Sequence, residues 1–182
     1  TMKSIVNGCL AVPNTVAVRP QVWLEGPYET VPQAMMRDDL RVAGLVPNNE
    51  PYTALGYAHA GGGGGEQIGA GVLNITGPDA IVDWVVVEAR STTFPHAVQA
   101  TRSALVQRDG DIVGADGVSP VLLQTTLGSY YLAIRHRNHL GVMTAAAVVL
   151  GTAPLSVDFR NAGTATWGTE ALKTAFSTRL MW

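Results

Sequence analysis

The sequence predicts an all-β fold, an antiparallel β-sandwich with one or two short helices, and three observations carry that prediction. From residue 68 onward, β-branched and aromatic runs recur at roughly ten-residue intervals. They fall at 70–76, 80–90, 97–107, 119–125, 129–138, 142–150 and 154–159. Turn signals separate them: Gly77-Pro78-Asp79, Phe94-Pro95-His96, Asp109-Gly110-Asp111, Asp116-Gly117 and Leu127-Gly128. No helical segments alternate with the runs, which excludes a doubly wound parallel sheet.

The bulk numbers agree with one folded module spanning 1–182. The 182 residues suffice for a single core, and 47% hydrophobic residues exclude a disordered chain. A net charge of −2 gives no basic face for nucleic acid. Cys9 is the sole cysteine, so no internal disulfide or cysteine-rich metal site can form. No apolar run reaches membrane-spanning length, so no membrane insertion is expected. Thr1 ahead of Met2 and the apolar ending Leu180-Met181-Trp182 suggest a piece excised from a longer protein, with neighbouring domains as partners. The lack of a signal peptide therefore does not argue against export.

In chain order, residues 15–24 (TVAVRPQVWL) read as a strand, at an edge or bulged where Pro20 removes a ladder donor. A short helix is expected over 32–43. Pro32 suits its first position and Gly44 its C-terminal cap, while Met36, Leu40 and Ala43 share a face. Residues 45–67 form a long glycine-rich loop, LVPNNEPYTALGYAHAGGGGGEQ. It reads either as a binding element, with His59 and Glu66 flanking a flexible hinge, or as a surface linker. Without a following Gly-Lys-Ser/Thr it is not a phosphate loop. In the tail, Leu172, Ala175, Phe176 and Leu180 have helical spacing with Thr169 as cap, and an amphipathic strand fits almost as well.

Gly128–Thr144 (GSYYLAIRHRNHLGVMT) is the stretch with the most chemistry. Extended, it places Tyr130, Leu132, Ile134 and His136 on one face, and Tyr131, Arg135, Arg137 and His139 on the other. Two arginines and an imidazole are costly to bury unpaired. That face is therefore expected either to be exposed and bind a ligand, with Arg135 nearer the buried centre and Arg137 and His139 exposed, or to be neutralised by Asp83 or Glu88 on a neighbouring strand. His136 and His139 would reach one metal only if the chain turned between them. In AIVDWVVVEAR, Asp83 falls with Ile81, Val85 and Val87 and needs a cation, for which a structural pair with Arg102 is expected and Arg135 or Arg137 are alternatives. Val82, Trp84, Leu105, Leu132, Ile134 and Val148 are predicted core.

Asp109, Asp111 and Asp116 form a weak calcium motif whose EF-hand spacing fails at Val113 and Pro120. The alternative is turn aspartates capping their own backbone. No other cofactor is expected. No nucleophile elbow or zinc-protease motif is present, so no catalytic residue is assigned. Asn74-Ile75-Thr76 fits a glycosylation sequon.

Four blocks, PYTALGYAHAGGGGGE, AIVDWVVVEAR, ATRSALVQRDGDIVGADGVSP and YYLAIRHRNHLGVMTAAAV, resemble a module of large secreted bacterial surface proteins of the hemagglutinin-like kind. In that family the module lies near the C-terminal end, upstream of a dockerin-like, Asp-rich segment. The resemblance covers about residues 20–182 and implies an extracellular or cell-surface location. The arrangement around GSYYLAIRH is also similar to immunoglobulin-like and prealbumin-like surface modules. These readings together anticipate a non-catalytic module that binds a glycan or other surface polymer through His59, Glu66, Tyr131, Arg135, Arg137 and His139. The alternatives are a structural spacer and a metal-assisted enzyme.

Overall fold

A computed structural model of the chain describes residues 15–31, 34–168 and 170–182. The readings placed on Thr1, Met2, Cys9, Pro32 and Thr169 lie outside the described residues. The fold is all-β and sandwich-like, with almost no helix.

Its larger sheet is centred on β4 (Ile81–Arg90), an almost uninterrupted β-branched run that is buried along nearly its whole length. β5 (Val98–Gln107) and β8 (Gly128–His136) flank it, both antiparallel. The sheet ends in β6 (Ile112–Val113) beside β5, and in β9 (His139–Met143) and β10 (Val148–Leu150), which both pair with β8. A second sheet has β1 (Thr15–Gln21) in its middle, antiparallel to β7 (Val121–Gln124) and parallel to β11 (Leu155–Asp158). Pro20 lies beyond the four β1 residues paired with β7, so its missing donor costs that ladder nothing.

Both faces of the large sheet are covered. Val85, Val87, Ala104 and Val106 pack towards Val16, Val18, Val121 and Leu123 of the second sheet. On the other face Trp84, Val86 and Leu105 pack with Val46, Tyr52 and Val72, which belong to the segment between the first strand and β4. A central strand apolar on both sides requires two such layers. A β-bulge between Ile81 and Asp83 shifts the alternation, so Ile81 joins Trp84 and Val86, away from Val85. The predicted core is borne out for Val82, Trp84, Leu105, Leu132 and Ile134, while Val148 is half-buried.

Three local expectations change. The helix shrinks to α1 (Asp39–Val42), although Gly44 does follow it in a left-handed conformation. Upstream, Met36 is drawn into a two-residue ladder, β2 (Tyr28–Glu29) with β3 (Met35–Met36), and its N–H donates to the Arg108 carbonyl. The run at 70–76 holds a 3-10 turn at Val72–Asn74, entered through left-handed Gly71. The tail is a hairpin, β12 (Lys173–Ala175) and β13 (Thr178–Leu180), turning at Phe176 and Ser177 with φ of 53° and 65°. Its end enters the core, with Leu180 and Met181 buried beside Leu24.

Candidate functional site

The glycine-rich loop is pinned to the sheet by buried carboxylates. Glu50 Oε2 accepts the N–H groups of Tyr52 and Thr53 at 2.8 and 3.1 Å, and Oε1 accepts that of Gly65 at 3.0 Å. Burial would raise the Glu50 carboxyl, but the side-chain bond from Thr53 and these backbone donors outweigh it and hold it below the usual carboxylate range. Glu66 accepts the Gly64 N–H and pairs with Arg102 at 3.1 Å. His59 Nδ1 lies 3.0 Å from Thr101 Oγ1, and its buried Nε2 has no hydrogen-bond partner, 3.8 Å from Glu50. His59 and Glu66 thus tie the loop down and do not flank an open hinge. Arg102 and Glu66 also line a cleft of about 280 Å³ with Ser103, Asp116 and Ser119.

The chain turns between His136 and His139, so the proposed unbroken face of Arg135, Arg137 and His139 does not exist. β8 ends at His136, Arg137 and Asn138 make the turn, and His136 faces His139 across the hairpin. Arg135 is exposed, whereas Arg137 and His139 are half-buried, the reverse of the expected order. The reason is Asp83, only 2% exposed, which the β4 bulge directs to this hairpin. Arg137 donates to its Oδ1 at 2.8 Å, His136 Nε2 lies 3.2 Å from Oδ2, and the Trp84 N–H donates at 2.7 Å. Burial alone would raise the Asp83 carboxyl. The His136 hydrogen bond and the Arg137 charge win, and the carboxyl sits below its ordinary value. The expected Asp83–Arg102 pair is therefore corrected to Asp83 with Arg137 and His136. Arg102 lies further along the sheet, opposite Val87, and is taken by Glu66.

The hairpin floors a half-open cavity of about 210 Å³, walled by Leu24, Leu40 and Val82, with Arg37 and Asp39 also lining it. Burial and the neighbouring His136 push His139 down to about 4.

Tyr131 belongs to a third group that sequence reasoning largely missed. Its ring lies 4.8 Å from His96 and 5.6 Å from Trp167, and His96 is 5.9 Å from Phe94, all edge-to-face. Phe94 is 84% and Trp167 49% exposed. His96, with φ of 60°, sits in the β4–β5 turn, and Trp167 is fixed by its N–H to the Met143 carbonyl. The Phe94-Pro95-His96 turn was visible as a signal. That it meets Tyr131 follows from the β4–β8 register, which sets Arg90 opposite Tyr131.

The three aspartates do not converge. Asp109 accepts the Asp111 N–H, Asp111 bonds Gln21, and Asp116 accepts the N–H groups of Val118 and Ser119. The turn-capping alternative describes Asp109 and Asp116, while Asp111 instead accepts from the Gln21 side chain of the first strand. Among the described residues no group of three or more His, Cys, Asp or Glu is arranged to hold a metal. His136 and His139 do meet, with Nδ1 atoms 2.8 Å apart. The Asn138 N–H also points at the His136 nitrogen.

No protein-family model, curated protein or solved structure matches this chain.

Proposed function

We propose that the chain is a non-catalytic, extracellular binding module that takes a glycan or similar hydroxyl-rich surface polymer on the ring cluster of Phe94, His96, Tyr131 and Trp167. The observation that carries this reading is the exposure of two large rings held by their neighbours on a sheet and its turns. Solvent-exposed aromatic groups of this size mark interaction sites more than scattered apolar residues do. Planar rings stack on the C–H faces of sugars, and the Tyr131 hydroxyl supplies a polar edge. The resemblance to secreted surface proteins supports an extracellular setting.

A glycan array followed by tryptophan-fluorescence titration tests it. Trp167→Ala, read on the array, should abolish binding at a stability cost of about 1–3 kcal/mol, because its ring packs edge-to-face on His96 and Tyr131. Unchanged binding in that variant would refute the ring cluster as the site.

A second reading, a structural spacer, is favoured by the pairing of Arg90, Arg102 and Arg137 with buried carboxylates. A module that binds nothing on the array and keeps its partners' spacing would be that spacer.

A further inference from the structure

The hydrogen bonds at the β8–β9 hairpin fix the protons on both imidazoles. The Asn138 backbone N–H lies 3.1 Å from His136 Nδ1, so that nitrogen must accept and carries no proton. The ring proton of His136 is then on Nε2, donated to the buried Asp83 carboxylate. His139 Nδ1, 2.8 Å from the same His136 Nδ1, must be the donor of that contact, because two lone pairs cannot share it. A chain results: Asp83 orients His136, and His136 orients His139. The end of the chain is the lone pair on His139 Nε2, which has no hydrogen-bond partner among the described residues. That nitrogen faces the Gly26 turn, where a side-chain Cβ would come within 3.9 Å of it.

From this arrangement we infer that the cavity at the hairpin is a binding site for a small uncharged ligand with an apolar ring and a hydroxyl group, a phenol-type molecule. The hydroxyl donates to His139 Nε2, and the ring packs on Leu24, Leu40 and Val82. A carboxylate-oriented acceptor at the side of an apolar cavity is the arrangement of a small-molecule pocket, few polar groups set in apolar walls. An anion is disfavoured, because the free nitrogen is an acceptor and repels another one. Facing His139 are His136 and Asp83 behind it and Glu25 beside it, with Arg37 and Asp39 lining the cavity. Burial, the largest influence, outweighs the two acids, so the imidazole stays neutral well below pH 7. This site is separate from the ring cluster and does not depend on the glycan reading.

The test uses p-cresol and toluene as probes on the whole chain, labelled with nitrogen-15. Long-range proton–nitrogen spectra at pH 7 should show His136 protonated on Nε2 and His139 on Nδ1. Added p-cresol should move the His139 Nε2 signal, and toluene, lacking the hydroxyl, should bind about tenfold more weakly, as the loss of one hydrogen bond predicts. His139→Phe should weaken p-cresol about tenfold more than it weakens toluene. Equal affinity for the two probes, a proton on His139 Nε2 in the free protein, or p-cresol shifts confined to His96 and Trp167 would each overturn the inference. The tautomer measurement needs no variant, so a folding defect in His139→Phe cannot obscure the result.

Discussion

Replacing Gly63 by alanine should detach the glycine-rich loop from the sheet. A Cβ at this position would come 2.2 Å from the Thr101 carbonyl oxygen and 2.4 Å from Thr101 Oγ1. Thr101 cannot recede, because it sits inside β5 opposite Glu88 of β4. The loop must therefore lift. Lifting breaks the reciprocal bonds between Ala60 and Thr101, at 2.9 and 3.0 Å, and strains the His59–Thr101 contact at 3.0 Å. Three hydrogen bonds at about 1 kcal/mol each, with overpacking of about 1–3 kcal/mol partly relieved by the movement, give a loss of roughly 3–5 kcal/mol. Gly65 is the control: its φ is +79° but a Cβ there meets open space, so Gly65→Ala should cost only the left-handed penalty of about 1–2 kcal/mol. Urea denaturation followed by tryptophan fluorescence measures both. Trp84 is a suitable reporter because its ring N–H donates to Pro47 at the start of the loop. A Gly63→Ala variant no less stable than Gly65→Ala would refute the argument and return the loop to the status of a free binding element.

Two further expectations concern the hairpin. Arg137→Ala leaves the Asp83 carboxylate with only His136 and one backbone N–H. Breaking a buried pair costs about 3–5 kcal/mol, and the remaining partners reduce this to roughly 2–4 kcal/mol. Arg135→Ala, at an exposed position, should stay within about 0.5 kcal/mol, and denaturation midpoints that rank the two variants the other way would contradict the hairpin geometry. Stability should also fall with acid in two stages. Between the ordinary value of 6.5 and about 4, the unfolded chain protonates His139 while the folded chain does not, so stability drops as pH falls through that window. Below 3.8, Asp83 adds to the loss, since its folded carboxyl is held lower than its unfolded one. Urea midpoints at pH 7, 5.5 and 4.5 should decline in the parent chain and decline less in His139→Phe, and a flat parent profile would contradict the buried, neutral imidazole.

The strand pattern was legible because β4, β5 and β8 carry their β-branched runs between strong turn residues, and local composition and burial agree there. What escaped was decided by register and by single extra residues. The bulge at Ile81 and Asp83 reverses which face each residue occupies, and alternation counted from either side of it gives the wrong neighbours. The turn at Arg137 and Asn138 contains no glycine, so the strand read as continuous to His139 and its cationic face was misassigned. The four-residue helix shows the limit of propensity, because Met36 bonds to Arg108, more than seventy residues later in the chain. The ring cluster joins a turn, a strand and a later loop, and no spacing in the sequence connects them.

The charges themselves separate scaffolding from recognition. Arg90, Arg102 and Arg137 each meet a carboxylate whose own side chain is buried: Glu88, Glu66 and Asp83. Each of those acids has a second partner: the Tyr57 hydroxyl of the loop for Glu88, the His136 ring of the hairpin for Asp83 and, within the loop itself, the Gly64 N–H for Glu66. These triads tie the glycine-rich loop and the hairpin to β4 and β5, and a buried acid stripped of its cation would be costly in each case. An arginine so committed has little to offer a ligand, since engaging one would leave its carboxylate unpaired. Among the described residues, the exposed groups left for a ligand include the faces of Phe94 and Trp167, the free nitrogen of His139 and the exposed arginines Arg19 and Arg135. On the proposed reading, recognition therefore rests on stacking and neutral hydrogen bonding, which selects hydroxyl-bearing ligands over polyanions.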